Sequence, residues 1–392
     1  MEKSSSATAS MATMSEPTTP PSQAHDPGAS ANQISTVETE IRPTVRFPTR
    51  WTAISSAFVV LLCVLALILV PTPFVARSPG QTVNLLSTNE RGKPMIQIDG
   101  LTTRHSEGEM RMTTVSITRA DSRLSLAEAL VAHLRADHDV LQREAVYPPG
   151  RSPQQVDADE SYMMDTSQRD AAVAALRAAG QPVAEMPMVN AVSAAGPAHG
   201  KLMPGDLIEK VDGQPVASLL DVGKAVRKHV VGDTVVFVVL RNSVAKTVAV
   251  TSVSSVSDRR APAVGITIDT GYRYSPTITY SIPGDIVGPS AGLAMALSIY
   301  QMVAPNDLIG SLRIAGTGSI SPDGNVVAIG GIQEKVAGAE RDGAKIFLVP
   351  SGNCRDLSGV ETSMRLVKVS SLKDAIAAIQ KIRAGGTGVP HC

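Results

Sequence analysis

Two residues in the second half of the chain, Ser290 and Lys335, have the types and settings that nucleophilic catalysis requires. Ser290 follows a Gly-Pro pair, which cannot continue a helix backwards, and it precedes small and apolar residues that predict a helix over about 291–303. A hydroxyl at a helix N-terminus lies beside free backbone N–H groups and the positive end of the helix dipole, both of which stabilise a developing oxyanion. Ser290 is therefore a candidate nucleophile.

A serine nucleophile needs a base, which is most often histidine. Residues 254–390 contain no histidine, and His391 is the penultimate residue. Lysine can take this role when burial keeps its amine neutral near pH 7. Lys335 follows a Gly-Gly pair in a short helical pattern with apolar neighbours, and Thr317 offers a hydroxyl that would orient its amine. The residues therefore favour a Ser-Lys dyad over a triad.

Four blocks in this region resemble the proteolytic domain of Lon-type serine proteases. They are Gly-Pro-Ser-Ala-Gly at 288–292, Thr-Gly-Ser-Ile at 317–320, Ile-Gly-Gly-Ile-Gln-Glu-Lys at 329–335, and Pro-x-x-Asn-x-x-Asp-Leu at 350–357. The resemblance implies an α/β (α+β) domain, with Ser290 as nucleophile, Lys335 as general base and Thr317 supporting the lysine.

Two residues depart from the family pattern. Asp285 matches an acidic residue that precedes the family's serine, but the spacing is longer in this chain. Ser319 stands where the family usually has glutamate after the Thr-Gly pair. Neither residue belongs to the dyad, so the departures concern the detail of the site and leave the class of domain unchanged.

Residues 180–256 predict a small, β-rich module. Its run Gly-Lys-Leu-Met-Pro-Gly-Asp-Leu-Ile-Glu-Lys-Val-Asp-Gly, at 200–213, resembles the PDZ domain in the arrangement found in bacterial envelope proteases. The resemblance implies that a peptide C-terminus adds as a strand to an exposed sheet edge, with the carboxylate-binding loop near 183–188. A spacer module that binds no peptide is the alternative.

The N-terminal part predicts a disordered tail at 1–50 and a transmembrane helix at 51–73. The tail is rich in Ser, Thr, Ala and Pro, while residues 51–76 carry no charge. Arg42, Arg46 and Arg50 precede the span and Arg77 follows it, which favours a cytoplasmic N-terminus and extracytoplasmic domains in the cell membrane. A cleaved signal peptide and a buried core helix are the alternatives.

The remaining stretches complete the domain prediction. Residues 80–179 predict strands and helices that pack with the protease domain, including a helix that a capping box opens at Ser125 and Glu128. The Lon-like domain itself is expected at 257–385, starting with strands over 264–269 and 277–282, followed by a tail at 386–392. If the domains are extracytoplasmic, a disulfide between Cys354 and Cys392 is possible; two unrelated thiols are the alternative.

The sequence contains no recognisable binding motif for nucleic acid, for a metal ion or for a nucleotide phosphate. The formal net charge is zero and aromatic residues make up 3%, so neither a basic field nor a stacking platform for nucleic acid is indicated. No Cys-x-x-Cys or His-Glu-x-x-His pattern predicts a metal site, and no Gly-x-x-x-x-Gly-Lys-[Ser/Thr] run predicts a phosphate-binding loop. We therefore expect no cofactor, no metal and ATP-independent activity.

Taken together, the chain resembles bacterial membrane-anchored, PDZ-domain-containing Lon-like proteases. The resemblance implies a serine endopeptidase that acts on unfolded or membrane-proximal proteins, with the PDZ domain engaging substrate or regulatory peptides and a homo-oligomeric ring as a possible assembly. A non-catalytic PDZ scaffold with a degenerate protease fold is one alternative. An esterase that pairs Ser290 with His391 is another.

Overall fold

The computed structural model describes residues 49–392, so the predicted tail lies almost entirely outside the described part. The first helix, α1, spans Thr49–Leu69, and an 18-residue window within Arg50–Leu69 has a mean hydropathy of 2.7. Twenty helical residues extend about 30 Å, which matches the hydrocarbon core of a bilayer. By length and composition this helix can cross a membrane. Residues 59–392 form one compact unit.

Seven more helices and eighteen strands follow in the described part of the chain. The helices are α2 (Leu126–His133), α3 (Arg143–Val146), α4 (Pro153–Ala178), α5 (Leu219–Arg227), α6 (Gly292–Val303), α7 (Ile332–Arg341) and α8 (Leu372–Arg383). The strands are β1 (Phe74–Asn84), β2 (Ile96–Asp99), β3 (Glu109–Ile117), β4 (Asp139–Gln142), β5 (Val183–Val192), β6 (Leu207–Val211), β7 (Gln214–Pro215), β8 (Thr234–Arg241), β9 (Val244–Thr251), β10 (Val253–Ser254), β11 (Pro262–Ala263), β12 (Ile266–Tyr274), β13 (Thr277–Tyr280), β14 (Arg313–Gly316), β15 (Ser319–Ile320), β16 (Val326–Val327), β17 (Ile346–Pro350) and β18 (Arg365–Val369). Two 3-10 helices span Pro289–Ala291 and Ser351–Leu357.

A six-stranded mixed sheet is built from two distant parts of the chain. Its order is β18-β17-β14-β3-β1-β4, with β3, β14, β17 and β18 parallel and β1 antiparallel to both neighbours. β17 is buried at every position, as expected for an interior parallel strand covered on both faces. The residues before the PDZ module therefore supply half of the sheet on which the Lon-like motifs lie.

Helices cover both faces of this sheet. Ile314 packs in a core with α4, α6 and α8, whereas the next residue, Ala315, packs in a second core with α7. Consecutive strand residues point to opposite faces, so β14 contributes to both cores. The residue after this strand is Thr317, so the threonine lies at the end of β14, where Ser290 and Lys335 also meet.

The PDZ module has its own sheet, with the order β12-β5-β6-β8-β9 and a core that includes Phe237. Two expectations for this region are wrong. Residues 183–188 are not a loop, because they lie in β5, which pairs with β12 along one edge. The strand expected at 264–269 in the protease domain is β12, which extends the PDZ sheet before β13 and the nucleophile turn.

One arginine connects the PDZ module to the mixed-sheet region. Arg177, at the end of α4, donates to Asp323 Oδ1 at 2.9 Å and to Glu185 Oε1 at 2.7 Å. Its guanidinium also lies 5.3 Å from the ring centroid of Tyr272 in β12. These contacts join α4 to β5 and β12 of the PDZ sheet and to the loop between β15 and β16. Arg177 therefore connects the PDZ sheet to the part of the chain that contains the nucleophile turn.

The C-terminal tail is attached by a disulfide between Cys354 and Cys392, as the sequence suggested, with their Cα atoms 5.1 Å apart. Val389 is buried in the core, and the Lys368 N–H donates to the Pro390 carbonyl at 3.0 Å. Among the described cysteines only Cys63, in α1, is free. The tail therefore packs as part of the domain.

Replacing Cys354 should destabilise the protein. The two cysteines are 38 residues apart in sequence, and a loop of that length restricts the unfolded chain enough that Cys354→Ser should lower the free energy of unfolding by about 2–4 kcal/mol. Denaturant unfolding in detergent, followed by circular dichroism, measures this difference. The matched control is Cys63→Ser, which breaks no disulfide. Equal stability of the two variants would contradict the prediction.

Candidate active site

Ser290 lies in a tight turn between β13 and α6. The preceding Gly288 has φ +89°, in the left-handed region that favours glycine, and Pro289 then opens the 3-10 helix that contains Ser290. The helix predicted from the sequence is α6, which begins at Gly292. Ser290 lies in the short 3-10 turn directly before it. The hydroxyl is half-buried at the N-terminal end of a helix that is otherwise almost fully buried.

Lys335 lies in the first turn of α7. The helix starts after Gly331, which has φ +73°, and the Lys335 N–H donates to the Gly331 carbonyl at 3.0 Å. A side chain at Gly331 would place its Cβ 2.8 Å from Val115 Cγ1, so glycine is required for both backbone angle and space. Only 2% of Lys335 is exposed. The Gly-Gly pair therefore starts the helix in a position that buries the lysine.

The three candidate residues meet at the end of β14. Lys335 Nζ donates to Ser290 Oγ at 2.7 Å and to Thr317 Oγ1 at 3.1 Å. Thr317 is fully buried, and its hydroxyl donates to the Ser290 carbonyl at 3.1 Å. The amine is thus held by two hydroxyls, with the nearer one on Ser290.

Burial lowers the pKa of Lys335 to about 7, because the charged ammonium loses its hydration in this site. The positive charge of Arg77 lowers the pKa further, whereas the negative charge of Glu334 raises it. A substantial fraction of the amine is therefore neutral at pH 7. A neutral lysine amine can accept a proton, which an ordinary surface lysine cannot do at that pH.

A buried ion pair lies next to the lysine. Glu334, 1% exposed, accepts from Arg77 Nε through Oε1 at 2.6 Å, while its Oε2 atom has no hydrogen-bond partner. Arg77 lies in β1 and also pairs with Asp139 in β4. In the sequence Arg77 is recognisable only as a charge after the span, because 257 residues separate it from Glu334.

Backbone contacts hold the nucleophile turn against the end of β14. The Gly318 N–H donates to the Ser290 carbonyl at 2.8 Å, and the Leu293 N–H donates to the Gly318 carbonyl at 3.0 Å. Gly318 has φ +145°, and a Cβ there would lie 2.8 Å from Val326 Cγ1. The glycine after Thr317 therefore lets the two segments approach closely.

Helix α4 supports the same turn from the other side. Ser167 Oγ, in a residue that is 4% exposed, donates to the Pro289 carbonyl at 2.9 Å. Tyr280 OH donates to the Gln168 carbonyl at 2.8 Å, which attaches the end of β13 to α4. The sequence predicts a helix in this region but not these contacts, because an amphipathic pattern does not reveal which segment the helix packs against.

The run at 350–357 braces the residues that precede the lysine. Asn353 accepts from the Ile329 N–H at 2.9 Å and donates to the Ile329 carbonyl at 2.8 Å and to Asp356 Oδ2 at 2.9 Å. Gln333 in α7 donates to the Asp356 carbonyl at 2.7 Å. The asparagine amide thus satisfies both polar groups of one residue's backbone directly before the Gly-Gly pair.

The other residues singled out from the sequence lie outside this cluster. Asp285 is exposed in the loop before Gly288, and Ser319 Oγ donates to the Pro289 carbonyl at 3.4 Å. His391 is exposed beside the disulfide, while Lys335 occupies the hydrogen-bonding position on Ser290 Oγ. Within residues 49–392, no group of three or more His, Cys, Asp or Glu side chains could hold a metal ion.

Family models match both domains of the chain. Residues 240–381 match the Lon protease (S16) C-terminal proteolytic domain, and residues 166–251 match the PDZ domain. Among solved structures, the PDZ domain of an SdrC-like protein from Listeria innocua is 26% identical and covers 21% of this chain and 92% of that one, with a TM-score of 0.20.

Curated relatives match a part of the chain about a hundred residues long. A Lon protease of Neorickettsia sennetsu is 37% identical over 93 residues, covering 23% of this chain and 11% of the relative. A Lon protease of Rhizobium meliloti is 38% identical over 94 residues, with the same two coverages. Lon protease 1 of Sorangium cellulosum is 36% identical over 108 residues, covering 26% and 13%. The chain thus spans only about a tenth of the length of these relatives.

These matches confirm the two domains expected from the motifs and the mixed α/β fold class. The chain contains a Lon protease (S16) C-terminal proteolytic domain and, before it, a PDZ domain.

Proposed function

We propose that the chain is an ATP-independent, membrane-anchored serine endopeptidase that uses Ser290 as nucleophile and Lys335 as general base. The observation that carries the proposal is the 2.7 Å contact between Lys335 Nζ and Ser290 Oγ, made by a lysine whose pKa burial lowers to about 7. The match to the Lon proteolytic domain supports the same chemistry.

In this mechanism the neutral Lys335 amine takes the proton of Ser290 Oγ while that oxygen attacks the carbonyl carbon of a peptide bond. The tetrahedral intermediate collapses as the lysine ammonium returns the proton to the leaving amine, and an acyl-enzyme remains. Water, deprotonated by the same amine, then hydrolyses the ester. Thr317 is the positioning residue, because its hydroxyl accepts from Lys335 Nζ at 3.1 Å and limits where the amine can point.

Backbone N–H groups of the 3-10 turn that contains Ser290 would stabilise the oxyanion, since the Gly292 and Leu293 N–H groups at the start of α6 already donate to the Pro289 and Gly318 carbonyls. The first N–H groups of a helix have no partner within the helix, and the helix dipole is positive at that end. Ser290 lies in the 3-10 turn directly before α6. Since these donors are held by the fold before substrate binds, they need no reorganisation during the reaction.

Substrates of this enzyme would be unfolded or membrane-proximal proteins. No run in the sequence fits a phosphate-binding loop, so the proposal includes no ATP-driven unfolding of folded substrates. The helix Arg50–Leu69 would anchor the chain in the cell membrane, with the PDZ and protease domains outside the cytoplasm. A homo-oligomeric ring, as the family resemblance implies, would be compatible with this anchoring.

The PDZ domain would bind peptides along the outer edge of β12. A peptide added as a strand needs a sheet edge, and β12 is the terminal strand of the PDZ sheet, whereas β5 is paired on both sides. Only two residues separate β12 from β13, which leads to the turn with Ser290. The strand that binds the peptide would therefore be connected to the nucleophile turn through β13 alone.

Removing either member of the dyad should abolish proteolysis. We expect the purified full-length protein to digest an unfolded test protein without ATP, and Ser290→Ala or Lys335→Ala to lower kcat/KM by about 10⁴-fold or more. Ser358→Ala and Lys373→Ala, at exposed positions, are the matched controls and should retain activity. Gel assays with and without ATP measure both effects.

The outcomes separate the alternative hypotheses. Cleavage that survives Ser290→Ala would show that the nucleophile is wrong, and loss of cleavage in His391→Ala would favour the esterase-like pairing. An unaltered protein that binds peptides but cleaves nothing would be a scaffold.

The pH dependence should follow the lysine. Because the base must be neutral, kcat/KM should be low when Lys335 is protonated and should rise with pH through about 7. Glu334 raises the pKa of Lys335, so Glu334→Gln should lower that pKa and move the rising limb to lower pH. The exposed control Glu361→Gln should leave the limb in place. A limb that moves upward in Glu334→Gln would contradict the proposed electrostatics.

Peptide binding should protect β12 from hydrogen exchange. A synthetic peptide with an apolar C-terminal residue would pair with the outer edge of β12 and slow the exchange of its N–H groups, which mass spectrometry detects. The opposite edge strand, β9, serves as the internal control and should exchange at an unchanged rate. Protection at β9 alone would place the peptide at the wrong edge for this proposal.

A further inference from the structure

Helix α2 has an unusual distribution of side chains. Its buried residues are two alanines, Ala129 and Ala132, whereas its large apolar side chains face outward. The exposed fractions of these outward residues are 44% for Leu126, 50% for Leu130, 55% for Val131 and 76% for Leu134. A surface helix of a soluble domain normally shows the opposite arrangement, with its polar face toward water.

The three leucines form one face of the helix. Leu126, Leu130 and Leu134 are spaced four residues apart, which places them one above the other along the helix. The alanines on the opposite face let the helix approach β1 and β4 closely. The outward face is therefore a continuous apolar strip about 12 Å long, on a helix that is packed firmly against the sheet.

The start of α2 is attached to the end of the apolar helix α1. The Leu126 N–H donates to the Val70 carbonyl at 3.2 Å, and the Thr72 N–H donates to the Leu124 carbonyl at 2.8 Å. Val70 is the residue directly after α1. The leucine strip therefore begins where the proposed membrane span ends.

The first turn of α2 is held in a defined conformation. Ser125 accepts from the Glu128 N–H, and the Glu128 carboxylate accepts in return from the Ser125 N–H at 2.8 Å, which confirms the capping box predicted from the sequence. This reciprocal bond fixes the direction in which the helix leaves Ser125. The position of the apolar strip next to the span is thus a property of the folded domain.

We propose that α2 lies at the membrane surface and that Leu126, Leu130, Val131 and Leu134 contact lipid. This inference rests on the proposed membrane anchor. An outward apolar face beside the end of a span lies within reach of the interfacial zone, where such a face is removed from water. Arg123 and Arg135 are exposed on either side of the helix, where their charges would lie among the headgroups.

Lipid contact at α2 would hold the domain in one orientation on the membrane. The helix packs on β1 and β4, the strands that contribute Arg77 and Asp139 to the ion pairs beside Glu334. The β1–β4 edge of the sheet, which reaches the candidate active site through the contact of Arg77 with Glu334, would therefore face the bilayer. A substrate that emerges from the membrane surface would meet the site before it could fold.

The test is tryptophan fluorescence of the full-length protein in phosphatidylcholine vesicles with brominated acyl chains. The single native Trp51 is replaced by phenylalanine, and a tryptophan is introduced by Leu130→Trp or by Leu220→Trp, an exposed position on α5 of the PDZ domain. Bromine quenches only tryptophans that contact the acyl chains. We expect strong quenching in Leu130→Trp and little in Leu220→Trp.

Two controls make the outcomes decisive. Leu134→Trp, at the most exposed position of the strip, should be quenched as well if the Leu130→Trp variant folds poorly. Trp51 of the unaltered protein reports on the span, so loss of its quenching, or release of the protein by alkaline carbonate, would show that the anchor itself is absent. Quenching at Trp51 together with emission from Leu130→Trp and Leu134→Trp that bromine leaves unchanged would overturn the lipid contact at α2.

Discussion

The burial of the Lys335 side chain is the constraint on which the rest of the candidate site depends. Removing an ammonium group from water is unfavourable, so the enclosed amine has a pKa of about 7 instead of the ordinary value near 10.5. The enclosure needs several separate parts of the chain: the start of α7, the end of β14, the turn with Ser290 and the strand β1.

The charges around the lysine oppose one another. Arg77 disfavours the ammonium and Glu334 favours it, and the two are paired at 2.6 Å. The two charges shift the pKa of Lys335 in opposite directions, and desolvation by burial is the largest cause of the lowered pKa. Two buried oxygen atoms near the site, Oε2 of Glu334 and Oγ1 of Thr113 in β3, have no hydrogen-bond partner, and Glu334 is the residue next to Lys335 in α7.

The PDZ module is connected to the candidate active site both along the chain and through side-chain contacts. The PDZ sheet ends with β12, which continues into β13 and the nucleophile turn, while α4 contacts that turn through Ser167 and the PDZ sheet through Arg177. Strands from before the PDZ module complete the protease sheet. The PDZ module is therefore inserted between two halves of one domain and is attached to it at both ends.

The sequence by itself determined the features that depend on neighbouring residues. Gly-Pro before Ser290, Gly-Gly before Lys335, the capping box at Ser125 and the uncharged run that forms α1 act within one or two helical turns, so their effects can be derived without a fold. The choice of cysteines for the disulfide also followed from the chain, since Cys63 lies in the apolar helix.

Only the tertiary structure decided which distant segments meet. The strand pattern predicts that residues 264–269 are extended, but it does not specify the partner strand, and the structure pairs β12 with β5. The contact of Arg77 with Glu334, the hydrogen bond from Ser167 and the outward leucines of α2 share this origin. Each depends on packing between segments that are distant in sequence. The free energy that favours such packing comes from burying apolar surface, and a local sequence pattern does not show which surfaces are buried together.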